Sequence, residues 1–137
     1  YFSSREEAIC AFQADRARRL GEALRARPAA EPLRVAITEA VVTHFTRPEP
    51  DRAGLRMIMS TPELEGEALK AFSMAEAPLA EAVAERAGAA PDDLFPQVVA
   101  AAVAGAVRVA GRRWLAPGSG SFETVLRDAL AHVHVPE

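Results

Sequence analysis

The chain has almost no cysteine, almost no lysine and no surplus of positive charge. Its single cysteine, Cys10, excludes an internal disulfide and suits a reducing compartment. Of its 16 Lys and Arg residues only Lys70 is a lysine, a skew that reads as coding bias more than chemistry. The formal net charge of -3 and isoelectric point near 5.7 leave no basic footprint for nucleic acid, so the chain is not expected to hold DNA by itself. No run of about eighteen uninterrupted apolar residues occurs and no signal-peptide pattern is present. These absences predict a soluble cytoplasmic protein with no membrane partner. A Gly-rich phosphate loop after a strand and a helix-borne His-Glu-x-x-His are both missing, so neither catalysis nor a cofactor is expected. There is no strand-like alternation and no internal repeat.

What the chain does have is helical periodicity from end to end. At 137 residues and 50% apolar content it suits one domain, residues 1–137, with a sizeable core. A first helix runs from Ser4 to about Arg27, with Ala8, Ile9, Phe12, Leu20 and Leu24 on its apolar side, and Pro28 ends it. Ser4 with Glu7 three residues later reads as a capping box at its start. A second helix, about Glu31 to Thr46, has Pro32 in its first turn and the stripe Leu33, Ala36, Ile37, Ala40, Val41, His44, Phe45. Pro48 and Pro50 make a stiff linker to a short helix carrying Leu55, Met57, Ile58 and Met59. Thr61-Pro62 then starts a longer helix that ends at Gly88, a natural left-handed terminator. Pro78 inside it removes the bond to the Met74 carbonyl and predicts a kink or a split. A long apolar helix from about Asp92 to Leu115 and a last one, capped by Ser121 and running to about His134, complete the set. The expected fold is an all-α helical bundle of six helices, or seven if Pro78 divides one.

Few residues point to chemistry. Gly118-Ser119-Gly120-Ser121 leads into a helix N-terminus, a possible anion site, but its neighbours Pro117 and Phe122 suit a plain connection. His132 and His134, two apart, point to different faces of a helix and make a poor metal pair, so no metal site is expected. Cys10 with His44 has no third group to orient it as a nucleophile and base, and a structural cysteine is the plainer reading. His44 has two readings: a core imidazole bonded to a backbone carbonyl, or a polar group lining a ligand cavity. Phe12, Met57, Met59, Phe72 and Met74 also divide two ways, between core packing and an adaptable apolar pocket.

The last two helices raise the question of a partner. Residues 98–107 are apolar on every face, and a helix apolar all round needs neighbours all round. The final helix adds Phe122, Val125, Leu126, Ala129, Leu130 and Val133 at i, i+3, i+4, i+7, i+8 and i+11. Either this stripe closes a monomeric core, or part of it pairs with a second copy, the commonest symmetric solution.

Two segments carry a family resemblance. Tyr1-Phe2-Ser3-Ser4-Arg5-Glu6-Glu7 resembles the join between recognition helix and fourth helix in TetR-family transcriptional regulators. Leu55-Arg56-Met57-Ile58-Met59-Ser60-Thr61-Pro62-Glu63-Leu64 resembles a junction of actinobacterial members with the mycofactocin-regulator type of C-terminal domain. The layout is similar to helices four to nine of the TetR effector domain. The resemblance implies a chain that begins just after the DNA-binding head, with residues 1–3 as its remnant. It implies an effector pocket on Phe12, Ile37, Val41, His44, Met59, Phe72, Met74 and Val103, for a small hydrophobic or amphipathic effector. It implies a homodimer through a four-helix interface drawing on Val98, Ala102, Gly105, Phe122, Val125, Leu126, Ala129, Leu130 and Val133. Tyr1 and Arg5 match residues that approach operator DNA phosphates, a role that needs the N-terminal helix-turn-helix. The function implied is the ligand-sensing and dimerisation domain of a repressor. The alternative is a helical protein–protein interaction module that docks through its last helix.

Overall fold

The computed structural model describes residues 4–136, without the side chains of residues 5, 6, 9 and 10. The expectations for Tyr1, and for the side chains of Arg5 and Cys10, therefore lie outside the described residues. Six α-helices make up this region: α1 (Ser4–Arg25), α2 (Leu33–Thr46), α3 (Arg52–Ser60), α4 (Pro62–Ala87), α5 (Leu94–Trp114) and α6 (Phe122–Ala131). The fold is all-α, with no strand among the described residues.

Local signals set most of the helix ends. Asp51 caps α3 by accepting the Ala53 N–H at 3.1 Å, and Ser121 caps α6 by accepting that of Thr124 at 3.1 Å. Gly88 ends α4 with φ 68°, where a side chain would be strained. Two starts differ from expectation. Pro32 sits at the N-cap of α2 rather than inside it. Asp93 turns its carboxylate back to the Ala90 N–H at 3.0 Å, so α5 begins only at Leu94.

Pro78 neither splits α4 nor interrupts it: the helix is continuous from Pro62 to Ala87. The reason is tertiary. Leu79, Ala80, Ala82, Val83 and Ala84 follow the proline directly and are all buried, which holds this half of the helix in place. At the same level α1 presents Gly21, and a Cβ there would lie 3.1 Å from the Pro78 carbonyl oxygen. A side chain at Gly21 would push the two backbones apart by a few tenths of an ångström, so the glycine favours their close approach.

The core joins α1, α2, α4, α5 and α6. Leu24, Val41, Val83 and Leu126 are fully buried, with Leu20, Ile37, Leu79, Val103 and Trp114 around them. No polar or charged residue among those described is buried. Ion pairs run along its edges instead: Arg127 of α6 reaches Glu39 of α2 through its two terminal guanidinium nitrogens, at 2.7 and 3.2 Å, and Glu123 through Nε at 3.0 Å. By length and composition α5 could cross a membrane; here it packs between α4 and α6.

Leu126 is the sharpest test of this core. Leu126→Ala is expected to cost about 2–5 kcal/mol through lost burial and a residual cavity. Val35→Ala, on the exposed side of α2, should stay within about 0.5 kcal/mol. Urea unfolding of both variants measures the contrast.

Candidate ligand site and pairing face

The two halves of α4 differ. Every buried residue of the helix lies between Leu79 and Ala84; none lies between Pro62 and Pro78, and α3, which packs on α4, has none at all. The apolar side chains of this region therefore meet solvent. Phe12 and Met57 are each 59% exposed, and Leu64, Leu69 and Met74 are exposed too, while Met59 and Phe72 are half-buried. Of the residues expected to line a pocket, Ile37, Val41 and Val103 sit in the core at 2%, 0% and 1% exposure. Phe12, Met59, Phe72 and Met74 are not in that buried cluster, and only Phe72 packs against it. The structure thus separates an inner apolar set, already covered by protein, from an outer one that is not.

His44 stands between these sets. It is half-buried on α2, with its ring edge-on to Phe45 at 4.8 Å between centroids. Burial, reinforced by the positive charges of Arg16 and Arg19 on α1, pushes its pKa down to about 4. The imidazole is accordingly neutral near pH 7 and has one nitrogen able to donate and one able to accept.

A cleft that the sequence reading did not anticipate opens between α4 and α5. It encloses about 150 Å³ between Leu69, Phe72, Ser73 and Glu76 on one helix and Ala101, Ala104, Gly105 and Arg108 on the other. Each set is spaced i, i+3, i+4, i+7, one face of its helix. That spacing was the available signal, but only in combination: neither set is conspicuous until the two helices are known to face each other. A wider surface hollow of about 570 Å³ lies at the other end, beside Arg34, His132 and His134. Among the described residues no group of three side chains could hold a metal.

The outer face of α5 is apolar. Leu94, Val98, Ala101, Ala102 and Val109 are exposed and fall with half-buried Gly105 on one side of the helix. On α6, Phe122, Leu126 and Leu130 are 4%, 0% and 4% exposed and fill the chain's own core rather than its surface. Val125, Ala129 and Val133 are half-buried beside them. The surface available for pairing thus lies more on α5 than the stripe of α6 suggested.

Two measurements follow from these environments. The folded pKa of His44 is depressed, so the unfolded chain binds the extra proton first as pH falls. The stability this gives is complete above about pH 6.5 and is lost progressively as pH drops toward about 4. His44→Phe should flatten urea-unfolding stability across that window, and an imidazole NMR titration near the ordinary value would contradict it. Gly105 is the second case. A Cβ there would have no atom within 4 Å, so nothing in the chain requires a mid-helix glycine. Gly105→Ala should raise stability by about 0.5–1 kcal/mol in the same assay.

Comparison with protein families gives a match to the MftR C-terminal domain over residues 27–136. Comparison with curated proteins gives no match. The matched span takes in α2 to α6, with the half-open apolar region, the α4–α5 cleft and the outer face of α5. The chain belongs to the TetR-family C-terminal domains of the MftR type.

Proposed function

We propose that residues 1–137 form one non-catalytic domain that senses a small apolar or amphipathic molecule and pairs with a second copy of itself. In the full-length cytoplasmic repressor, the bound effector relieves DNA binding. The observation that carries this reading is the uneven burial of α4. From Pro62 to Pro78 the helix has no fully buried residue, and apolar residues of α1, α3 and α4 meet solvent. Covering one large apolar side chain is worth about 1.5–3 kcal/mol, so an effector that reaches several of them has a substantial driving force. Phe12, Met59, Phe72 and Met74 are the proposed apolar contacts, and neutral His44 the polar one. Copies pair through Val98, Ala102, Gly105, Val125, Ala129 and Val133, with Leu94 and Val109 extending the face along α5.

The mechanism is a population shift. The C-terminal half of α1 is fixed in the core through Ala17, Leu20 and Leu24, so differences in its placement concentrate in its N-terminal half. An effector that prefers one placement biases the element leading to the DNA-binding head, and only its differential affinity for the two placements counts. Tyr1 and Arg5 would then meet operator phosphates in the full-length protein only.

The test uses the full-length protein and its operator in fluorescence anisotropy. An amphipathic effector should weaken operator binding about tenfold or more, a coupling of about 1.4 kcal/mol. Operator binding indifferent to a broad panel of apolar and amphipathic compounds would sink the proposal. A strict monomer in light scattering would favour the other reading, a docking module for a different protein.

A further inference from the structure

The tail after α6 departs from the helix expected of it, and the departure brings two histidines to one place. On a helix continued to His134, His132 and His134 would stand on different faces. The helix instead stops at Ala131, and residues 134–136 have no regular structure. Val135 is 7% exposed within the core, and half-buried Val133 packs against that core. These two valines pin the tail, while His132 and His134, which alternate with them, stay exposed. Both histidines line one open hollow together with Arg34, from the first turn of α2. Arg34 finds no counter-charge there. Glu31, three residues before it, is held by Arg27 through both carboxylate oxygens, at 2.9 and 2.8 Å, and Glu39 is held by Arg127. The first turn of α2 carries no acid. Among the described residues Arg34 joins no ion pair and no carboxylate lines the hollow. Asp128, outside the lining, stands 3.8 Å from His132 with both side chains largely in water, so that contact competes weakly.

The polar side of this hollow is made of donors. A guanidinium supplies five N–H groups with a fixed charge, and each neutral imidazole supplies one more. A carboxylate would offer them two oxygens and a single charge. A phosphate monoester offers three terminal oxygens and a charge of about −1.5 to −2 near pH 7. The hollow measures about 570 Å³, far more than one oxyanion fills and within the range of small-molecule sites, about 300–1,000 Å³. Ala131, Val133 and Val135 give it an apolar side. We propose that this hollow binds a phosphorylated small molecule, its phosphate held by Arg34, His132 and His134 and its organic part lying over Val133 and Val135. The site is separate from the open half of α4: Arg34 and His44 are ten residues apart on α2, about 15 Å along the helix. It borders the proposed pairing face at Val133, but its polar contacts lie outside that face. Binding here does not depend on any effect on DNA.

The experiment therefore needs only this chain, in the assembly it forms in solution. Backbone amide NMR would follow titration with ribose 5-phosphate and, separately, with inorganic phosphate, ribose and acetate, all at constant ionic strength. The expected result is saturable shifts at Arg34, His132, His134 and Val135 with ribose 5-phosphate. Inorganic phosphate should bind more weakly, acetate about tenfold more weakly or worse, and ribose not at all. Arg34→Gln should weaken ribose 5-phosphate about tenfold, and His132→Gln with His134→Gln together by a similar factor. Arg113→Gln, which removes an exposed charge at the end of α5, should leave binding unchanged and so separates a site from general attraction to positive charge. Because all the replaced side chains are exposed, urea unfolding of the variants should match that of the parent chain. No saturable shift, inorganic phosphate or acetate binding as tightly as the ester, or an equal loss in Arg34→Gln and Arg113→Gln would each overturn the proposal.

Discussion

The rest of the structure depends on the close approach of α1 and α4 at Gly21 and Pro78. There the helix that would otherwise break at a proline lies against one whose side chain has been removed. The contact continues toward the C-terminal ends of both helices. Leu20 and Leu24 are buried beside Leu79 and Val83, and Arg25 reaches Glu85. Arg86 then closes the end by donating to the carbonyls of Arg27, Pro28 and Glu31 at 3.0, 2.8 and 3.2 Å. Those bonds fix the turn that launches α2, and α2 brings Glu39 to Arg127 of α6. With this end secured, the first half of α4 contributes no fully buried residue to the fold.

That division would let the proposed sensing site and a stable core coexist in so short a chain. A packed interior at native density leaves no room for a variable ligand. Regions that respond to ligands belong to the weakly buried part of a molecule, where local rearrangement costs little. Pro78 sits at the boundary, with five buried residues following it and none preceding it within α4. Its missing N–H leaves the Met74 carbonyl without a helical partner on the looser side.

Much of this was legible in the residues, and what was not shares a cause. Ser121 and Gly88 mark helix ends because capping and left-handed turns are local chemistry; Pro62 marks one by its fixed φ at the first helical position, although Thr61 makes no side-chain cap bond. The all-α class follows from periodicity alone. Pro78 does not split α4 despite its local penalty, because the buried residues that follow it and the α1 backbone at Gly21, 57 positions earlier in the chain, hold the helix. Faces were harder still. Phe122, Leu126 and Leu130 form one stripe of α6 and Val125 and Ala129 the next, and periodicity does not say which turns inward. Ile37, Val41 and Val103 show the same limit. An amphipathic pattern marks positions that leave water, but cannot distinguish burial by protein from burial by a ligand. Glu76 and Arg108 escaped notice because a charge on a helix is ordinary until its neighbour is known.

The arginine skew takes on a different meaning in the fold. Arg52 donates to the Gly120 carbonyl while its guanidinium lies 4.6 Å from the centre of the Trp114 ring. Arg56 donates to the carbonyl of Leu115, just past the end of α5. With Arg86, these residues donate to carbonyls at turns and helix ends, where the helical ladder runs out. A planar group with five N–H donors serves several carbonyls from one position and can also stack on an indole; an ammonium ion is a compact point charge. The contacts of Arg52 and Arg56 are particularly consequential because α3 has no buried residue to hold it. The short helix is tied to the α5–α6 corner by guanidinium groups at the surface, while its Met57 remains exposed and Met59 only half-covered. These polar ties act beside Leu55, which packs against the core, in fixing where α3 sits. An adaptable side chain, Met57, is thereby held on a fixed helix and left exposed, the condition the proposed binding surface needs.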